Sequence, residues 1–288
     1  LQIMAGTQDL GTGTYTILAQ VAAEVLEIPL DRIVVTLGDT ATTPYCPGSG
    51  GSMTAPSVTP AIRDAAEKLK AQLISGAAAL LETPESALTF QSGTVSSVSD
   101  PEKQMTIQEI IGKLREQTLV AIGRRNPNPE GKAINTFGAQ FADVSVDTRT
   151  GRITVHKIVG AYDIGRTLNP RLLENQVHGG VIQGLSYALM EERIIDRNTG
   201  KLLTTDFHDY RIATLKDTPE IEVIVVSKGD TQISAVGAKG VGEPAIIPTP
   251  GAIANAVYNA LGVRIRSLPM TPDKVLAALH ETRTEVGS

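Results

Sequence analysis

Four segments, three of them containing glycine, carry residue types that bind anionic ligands. They are Gly6–Gly13, Gly48–Ser52, Arg166–Pro170 and Lys239–Glu243, and each lies at or shortly before a predicted helix. Glycine lets the backbone approach a ligand closely, and a helix amino terminus offers N–H donors and positive potential. Any one segment alone is more simply explained as a flexible turn or a helix cap. Four together, without a Walker or dinucleotide motif, predict a large multi-phosphate or pterin-like ligand held between lobes.

Glu243 is the candidate catalytic residue. It lies between Gly242 and Pro244 at the start of a predicted helix. A carboxylate in this position either complements the helix dipole or acts as a general base on a loop shaped by glycine. His178 and His208 are the alternative bases. We expect both to be packed or solvated, because His178 falls in a predicted helix and His208 in a predicted strand.

Apolar periodicity predicts the elements that position the first two segments. In order they are a helix over 14–27, a strand over 32–37, a glycine- and proline-rich loop over 38–56, a long helix from Ser57, and strands near 87–98. Thr106 and Glu109 have the spacing of a capping box that opens a further helix.

The second half of the chain mixes hairpins with helices. The predicted elements are a β-hairpin over 137–159, a second hairpin around 196–200, a helix opened by Asn169-Pro170, a helix over about 245–261, a strand over 263–268 and a closing helix capped near Thr271-Pro272. Without strict βαβ alternation, the class is α+β with mixed sheets packed with helices. The stretch 126–131 is the best linker, and it predicts one lobe over 1–130 and a second, with Glu243, over 131–288.

Composition excludes several classes of protein. The chain has 288 residues, 41% of them hydrophobic, and a net charge of −5, so it predicts a folded, soluble protein without the basic surface of a nucleic-acid binder. No apolar run approaches the roughly 20 residues that cross a bilayer. The single cysteine, Cys46, and four scattered histidines predict neither a disulfide nor a structural metal site, and we expect Cys46 to be a bystander.

Five ordered motifs resemble the carboxy-terminal part of the molybdopterin-binding subunit of the molybdenum hydroxylases, the xanthine dehydrogenase and aldehyde oxidoreductase family. They are Gly6-Thr-Gln-Asp-Leu-Gly-Thr-Gly-Thr-Tyr-Thr16, Gly48-Ser-Gly-Gly-Ser52, Leu168-Asn-Pro170, Gln176-Val-His-Gly-Gly-Val-Ile-Gln-Gly184 and Lys239-Gly-Val-Gly-Glu-Pro244. The resemblance covers essentially the whole chain, and the first motif looks closest to bacterial aldehyde oxidoreductases that carry the cytosine dinucleotide form of the cofactor.

The resemblance implies the site residues. Glu243 would be the base that removes a proton during hydroxylation of an electron-poor carbon, with water as the oxygen source. The residues implied to line the molybdenum-molybdopterin cofactor are Gln8, Asp9, Leu10, Gly50, Gly51, Ser52, Arg166, Thr167, Leu168, Asn169, Pro170, Gln176, Gln183, Lys239, Gly240, Val241 and Gly242. The pterin dithiolene would hold the molybdenum, so no side chain is expected to be a metal ligand.

Two departures from the family pattern matter. Thr12 stands where xanthine-oxidising members have glutamine, which weakens any purine specificity. The amino-terminal half of the family's molybdenum subunit has no counterpart here, and the chain starts at Leu1 rather than methionine, so we expect a fragment or a naturally split subunit.

The resemblance also implies partners. They are the amino-terminal half of the molybdenum subunit, an iron–sulfur subunit, an FAD subunit and a small aldehyde or heterocyclic substrate. The expected location is the cytoplasm, or the periplasm if a partner carries an export signal. Two alternatives stay open. One is an assembly half that binds no cofactor and is inactive without its amino-terminal partner. The other is a phosphate-binding domain unrelated to molybdenum, for which the five motifs would have to be accidental.

Overall fold

The computed structural model describes residues 1–114, 118–226 and 229–286. The chain forms two compact units, each assembled from separate segments. The first contains Leu1–Ile134, Gly165–Asn169 and Lys228–Gly240, and the second contains Asn135–Ile164, Pro170–Ser227 and Val241–Ser288. A single boundary at 130/131 was the sequence prediction. The structure instead adds two later segments to the first unit, because Leu168, Val236 and Ala238 pack into the apolar cluster around Leu18.

The first unit consists of two small sheets packed with three helices. Its elements are β1 (Gln2–Ala5), α1 (Thr14–Leu26), β2 (Val34–Leu37), α2 (Thr54–Leu81), β3 (Leu88–Gln91), β4 (Thr94–Ser97), β5 (Gln104–Thr106) and α3 (Ile107–Lys113). Strands β1 and β2 are parallel, whereas β3, β4 and β5 form an antiparallel sheet. The predicted capping box opens α3, where Thr106 and Glu109 bond each other's backbone N–H groups.

Among the described residues, two large apolar clusters and a smaller third one hold this unit together. Leu18, Val21 and Ala22 of α1 recur at helical spacing and pack against β1 and the start of α2. The later part of α2 packs with α3 and the antiparallel sheet around Leu73 and Ile110. Helix α2 begins at Thr54, three residues before the predicted start, and continues through Pro60.

The second unit is a three-stranded mixed sheet covered by helices. Its elements are β6 (Phe137–Val146), β7 (Ile153–Asp163), α4 (Pro170–Leu189), β8 (Glu220–Val225), α5 (Thr249–Leu261) and α6 (Pro272–Val286). Strands β6 and β7 form the predicted hairpin, and β8 adds to β7 in parallel. The inward side chains of the sheet join α4 and α5 in one apolar core. The α+β class with mixed sheets is therefore confirmed.

The second predicted hairpin, around 196–200, is present but short. The Asp196 N–H donates to the Lys201 carbonyl at 2.9 Å across the turn, and Ile195 and Leu202 form an isolated antiparallel bridge. At the next position the Leu203 N–H donates to the Ile194 carbonyl at 2.8 Å. The Ile194 N–H donates instead to the Thr204 hydroxyl at 3.1 Å, so the pairing does not extend into a ladder.

The predicted strand over 263–268 is also wrong. In the described part of the chain, residues 263–268 belong to no strand. The segment is anchored to helices instead: the Met270 N–H donates to the Ala188 carbonyl at 2.7 Å, and the Arg264 guanidinium lies 3.8 Å from the Tyr258 ring centroid. Pro269 has no N–H to donate to a ladder.

The helix predicted from about 245 is divided. Residues Glu243–Ala245 form a short 3₁₀ helix, and α5 begins only at Thr249. Pro248 lacks the N–H that a continuous α-helix would need at that position.

Candidate functional site

The first two glycine-containing segments are joined by Gln8 and Ser49. The Gln8 side-chain oxygen accepts the Ser49 N–H at 2.7 Å, and the Ser49 hydroxyl donates to the Gln8 carbonyl at 2.8 Å. Gly6 lies against the same loop, where an added Cβ would overlap the Pro44 carbonyl and lie 2.9 Å from the Cys46 nitrogen. A side chain at position 6 would therefore force these two segments apart.

Asp9 closes the first segment on itself. Its carboxylate accepts N–H bonds from Gly11 at 2.9 Å, Gly13 at 3.2 Å and Tyr15 at 3.3 Å. Partial burial acts to raise the pKa of Asp9, but these backbone donors outweigh it and hold the pKa below its usual value. The Asp9 carboxylate therefore already lies at the positive amino end of α1. The neighbouring Leu10 side chain is 71% exposed.

The second segment leads into a helix end of a different kind. Gly51 and Ser52 have left-handed backbone conformations, with φ of 61° and 53°. The 28-residue helix α2 that follows has no side-chain cap and no acidic residue in its first turn. A Cβ added to Gly50 would meet no atom within 4 Å among the described residues. The amino end of α2 consequently keeps N–H donors and positive potential beside open space.

Within the first unit, the third segment contacts the residues just before the fourth segment. The Arg166 N–H donates to the Gly237 carbonyl at 2.6 Å, and a Cβ on Gly165 would overlap that same carbonyl. Gly240 lies against the backbone of Ser52, where a Cβ would overlap the Ser52 carbonyl. Contacts of Gly240 with the second segment and of Gln8 with Ser49 therefore bring parts of the first, second and fourth segments together.

Two charged side chains of these segments are partly or fully engaged. The Arg166 guanidinium makes a bidentate contact with Glu24 of α1, at 3.0 and 2.6 Å. This hydrogen-bonded pair raises the pKa of Arg166 and lowers that of Glu24. The side chain of Lys239 is only 7% exposed, and its amine lies 3.9 Å from the Asp230 carboxylate. Arg166 thus ties its segment to α1, and Lys239 supplies a nearly buried positive charge.

The Thr167–Asn169 part of the third segment continues toward α4. Leu168 packs against the apolar cluster of β1 and α1, so its side chain supports the segment. Pro170 is the first residue of α4 and belongs to the second unit.

The glutamine-glycine motif lies on α4. Gln176 is half-buried and Gln183 exposed, and their seven-residue spacing puts them on one helix face. Gly180 and Gly184 have a packing role that the sequence did not reveal. A Cβ on Gly180 would lie 2.6 Å from the Ala245 Cβ, and one on Gly184 would overlap Thr249. These glycines let the 243–245 turn and α5 approach α4 closely.

Glu243 opens the short 3₁₀ helix of the second unit. Gly242 is the residue before it, Pro244 occupies its first turn, and the Ile246 N–H donates to the Glu243 carbonyl at 3.0 Å. Ala245 is fully buried, whereas Glu243 is exposed and Val241 packs against the core. The backbone of the turn is therefore anchored while the carboxylate reaches solvent.

The other candidate residues are ordinary in their surroundings. His208 lies in a turn and not in the predicted strand, because its N–H donates to Asp206 at 2.8 Å. His178 lies on α4 with Glu174 at 3.9 Å. Burial raises the pKa of the Cys46 thiol, which disfavours a nucleophilic thiolate.

The described residues contain no group of three or more His, Cys, Asp or Glu side chains arranged to hold a metal ion. No helix among them has the length and apolarity needed to cross a membrane.

Comparison with known proteins identifies the class. The family model for the molybdopterin cofactor-binding domain matches residues 1–219. The chain therefore belongs to the molybdopterin cofactor-binding domain family, as its motifs predicted.

Individual relatives agree with that assignment. The chain is 34% identical over 292 residues to the xanthine dehydrogenase molybdenum-binding subunit of Escherichia coli O157:H7, covering 97% of this chain and 38% of the relative. It is 36% identical over 275 residues to the aldehyde oxidoreductase molybdenum-binding subunit PaoC of Escherichia coli K12, covering 95% and 36%. The solved structure of quinoline 2-oxidoreductase from Pseudomonas putida 86 matches with a TM-score of 0.86 and 28% identity, over 97% of this chain and 36% of that one. The chain thus spans little more than a third of the length of these relatives.

Proposed function

We propose that this chain forms the carboxy-terminal part of the cofactor site of a molybdenum hydroxylase that oxidises aldehydes or N-heterocycles with oxygen from water. The observation that carries the proposal is the assembly of glycine-containing segments in the first unit, where Gln8, Ser49, Ser52 and Gly240 are linked by direct backbone and side-chain contacts. Glu243 follows Gly240 by three residues along the chain.

The residues present fit an anionic pterin cofactor. The amino end of α2 offers N–H donors and has no acidic residue in its first turn, Gly50 leaves open space beside it, and Lys239 adds a positive charge with little exposure to water. In this proposal Gln8, Gly50–Ser52 and Lys239–Gly240 hold the cofactor, and Asp9 and Arg166 shape the segments around it. When bound, the cofactor supplies the two-electron oxidation chemistry and the dithiolene that holds molybdenum.

Glu243 acts as the general base in this proposal. Its carboxylate accepts the proton of the oxygen nucleophile as that oxygen bonds to the substrate carbon, so Glu243 must be ionised when substrate binds. The flanking Gly242 and Pro244 set the path of the backbone, and buried Ala245 anchors the turn from below. Because the turn is anchored by Ala245, the Glu243 carboxylate can be held in one orientation although its own side chain is not part of the core.

The test is Glu243→Gln in the complete molybdenum subunit. Glutamine keeps the shape but cannot accept the proton, so kcat should fall by roughly 10² to 10⁴ while cofactor content stays unchanged. Steady-state assays at matched molybdenum occupancy measure the change. Glu222→Gln on β8, where the carboxylate pairs with Lys157 at 2.7 Å, is the matched control and should retain full turnover. A Glu243→Gln enzyme within tenfold of the unaltered enzyme would remove Glu243 from the mechanism.

The relatives support both substrate classes. PaoC is named an aldehyde oxidoreductase, whereas a relative from Paenarthrobacter nicotinovorans, 33% identical over 286 residues, is named the large subunit of nicotine 6-hydroxylase. We further propose the cytosine dinucleotide form of the cofactor, partner subunits that carry iron–sulfur clusters and FAD, and a cytoplasmic location.

A second candidate function is that of an assembly half without cofactor. The observation that favours it is that the chain matches only 38% and 36% of the length of two curated relatives. In such an assembly half, the rest of the cofactor site would come from another segment. Molybdenum and pterin content distinguishes the two candidates when the chain is purified with and without the amino-terminal part of the subunit.

A further inference from the structure

A buried polar pair lies beneath the turn that carries Glu243. Gln140 of β6 is 9% exposed and Tyr162 of β7 is fully buried, against the apolar core of the second unit. The Gln140 side-chain amide donates to the Tyr162 hydroxyl and, at 2.8 Å, to the Ala245 carbonyl. All of these residues belong to the second unit.

Two glycines give this pair its place in the sheet. In the β6–β7 register Gly138 is opposite Tyr162, and Gly160 is opposite Gln140. A Cβ on Gly138 would lie 2.6 Å from the Tyr162 ring, and one on Gly160 would lie 2.7 Å from it. The ring therefore lies over the backbone of both glycines, in space that no other residue type would leave.

The direction of the Gln140 amide follows from its partners. Both N–H groups of the amide have acceptors, whereas the opposite orientation would point the amide oxygen at the Ala245 carbonyl oxygen. Among the described residues the Gln140 oxygen itself has no hydrogen-bond partner. A pair that leaves one polar atom unsatisfied gains little stability over apolar side chains of the same shape.

The Ala245 carbonyl ends the Glu243–Ala245 helix. Within this turn the Ile246 N–H donates to the Glu243 carbonyl, and the Thr249 hydroxyl donates to the Ala245 carbonyl at 3.3 Å. Gly180 of α4 lies against Ala245 from another side. Gln140 is thus the closer of two side-chain donors that hold the backbone two residues after Glu243.

We propose that Gln140, oriented by Tyr162, is a positioning residue that fixes the turn carrying Glu243 and so directs its carboxylate. The inference rests on the proposed role of Glu243 as the base. In physical terms, the Gln140–Tyr162 pair fixes the position of the turn and adds little to the free energy of unfolding.

The experiment compares four variants of the molybdenum subunit that contains this chain. Gln140→Leu removes both donors, Tyr162→Phe removes the hydroxyl, and the double variant removes both polar groups. Ser186→Ala is the matched control, because it deletes a buried bond in the same core, from the Ala213 N–H at 2.8 Å, away from the turn. Readouts are the melting temperature, the hydrogen-exchange rate of the Ile246 amide, and kcat and KM at equal molybdenum occupancy.

The expected results separate positioning from stability. Gln140→Leu should lower kcat by about 10- to 100-fold, as displacement of a reacting group by about 1 Å does, with KM within about threefold. Exchange at Ile246 should accelerate by about tenfold or more as the turn opens locally. The double variant should regain melting temperature relative to Gln140→Leu, because no hydroxyl is left orphaned, yet keep the low kcat and fast exchange. Ser186→Ala should change neither kcat nor Ile246 exchange.

Three results would overturn the inference. They are unchanged Ile246 exchange in Gln140→Leu, an equal loss of kcat in Ser186→Ala, and recovery of kcat in step with melting temperature in the double variant. Exchange at Ile246 is independent of turnover. If Glu243→Gln is fully active while Gln140→Leu still opens the turn, the role of Glu243 as the base is rejected. The hydrogen bond from Gln140 would then still be shown to hold the turn.

Discussion

Glycines in the segments proposed to bind the cofactor are of two physical kinds. At Gly6 and Gly240 a Cβ would overlap backbone atoms of the protein itself, so these glycines are required by the fold. At Gly50 a Cβ would meet nothing among the described residues, and Gly50 is not among the glycines with positive φ. The protein alone therefore does not require glycine at position 50, whereas a ligand lying on the backbone there would.

Gly50→Ala tests this difference. We expect melting temperature of the cofactor-free subunit to stay unchanged, because the methyl group enters open space, while molybdenum and pterin content falls at least severalfold. Metal analysis and pterin fluorescence measure occupancy. Gly112→Ala in α3, where a Cβ also meets nothing, is the control and should keep full occupancy. Full occupancy in Gly50→Ala would show that the cofactor does not approach this backbone.

Helix α1 is joined to the third segment by one charged pair. Arg166 and Glu24 are 142 residues apart in sequence, and their side chains are 40% and 49% exposed. Exposed pairs contribute only about 0–1 kcal/mol, and bidentate geometry places this one toward the upper part of that range. The pair therefore orders the segment more than it stabilises the unit.

The pair should make the stability of the first unit sensitive to acid. The hydrogen bond from Arg166 lowers the folded-state pKa of Glu24 below the ordinary glutamate value of 4.5. Stability from this lowered pKa is present above the unfolded-state pKa and is lost as pH falls through the folded-state pKa. Glu24→Gln should therefore reduce the free energy of unfolding by less than about 1 kcal/mol near neutral pH, with the difference vanishing in acid.

Urea titrations at a series of pH values below neutrality measure this difference. Glu82→Gln, at the carboxyl end of α2, is the comparison variant. A Glu24→Gln difference that is constant down to strong acid would contradict the assignment.

The second unit exposes large apolar side chains. On the outward face of β6, Phe137 is 60% and Phe141 is 74% exposed, and Phe207 and Leu215 are 79% and 93% exposed. Apolar surface of this kind is typical of a protein interface. Together with the partial coverage of the relatives, it supports the proposal that the rest of a molybdenum subunit covers this chain.

The chain expressed by itself should therefore self-associate and contain little molybdenum. Phe141→Ser should raise the monomer fraction in sedimentation experiments, because it removes exposed apolar surface. Asp143→Asn, two residues further along the same face of β6, should leave the fraction unchanged. A chain that is strictly monomeric at high concentration, or that binds cofactor fully alone, would contradict the expectation of a covering partner.

The sequence by itself determined the family, the α+β class, the course of most helices, the capping box at Thr106 and the β6–β7 hairpin. Each depends on local spacing, because apolar periodicity, caps and turns involve residues only a few positions apart. The strand over 263–268 failed for the converse reason: a strand exists only if a distant partner pairs with it, and here helix α4 holds the segment instead.

Only the tertiary structure decided how the candidate residues are used. It paired Arg166 with Glu24, turned Asp9 onto its own loop, and placed Gln140 against the Ala245 carbonyl across 105 residues of sequence. It also showed that Gly180 and Gly184 serve helix packing. Such contacts join residues that are far apart in sequence, and they depend on which surfaces pack together when the chain folds. Local spacing of residue types therefore does not predict them.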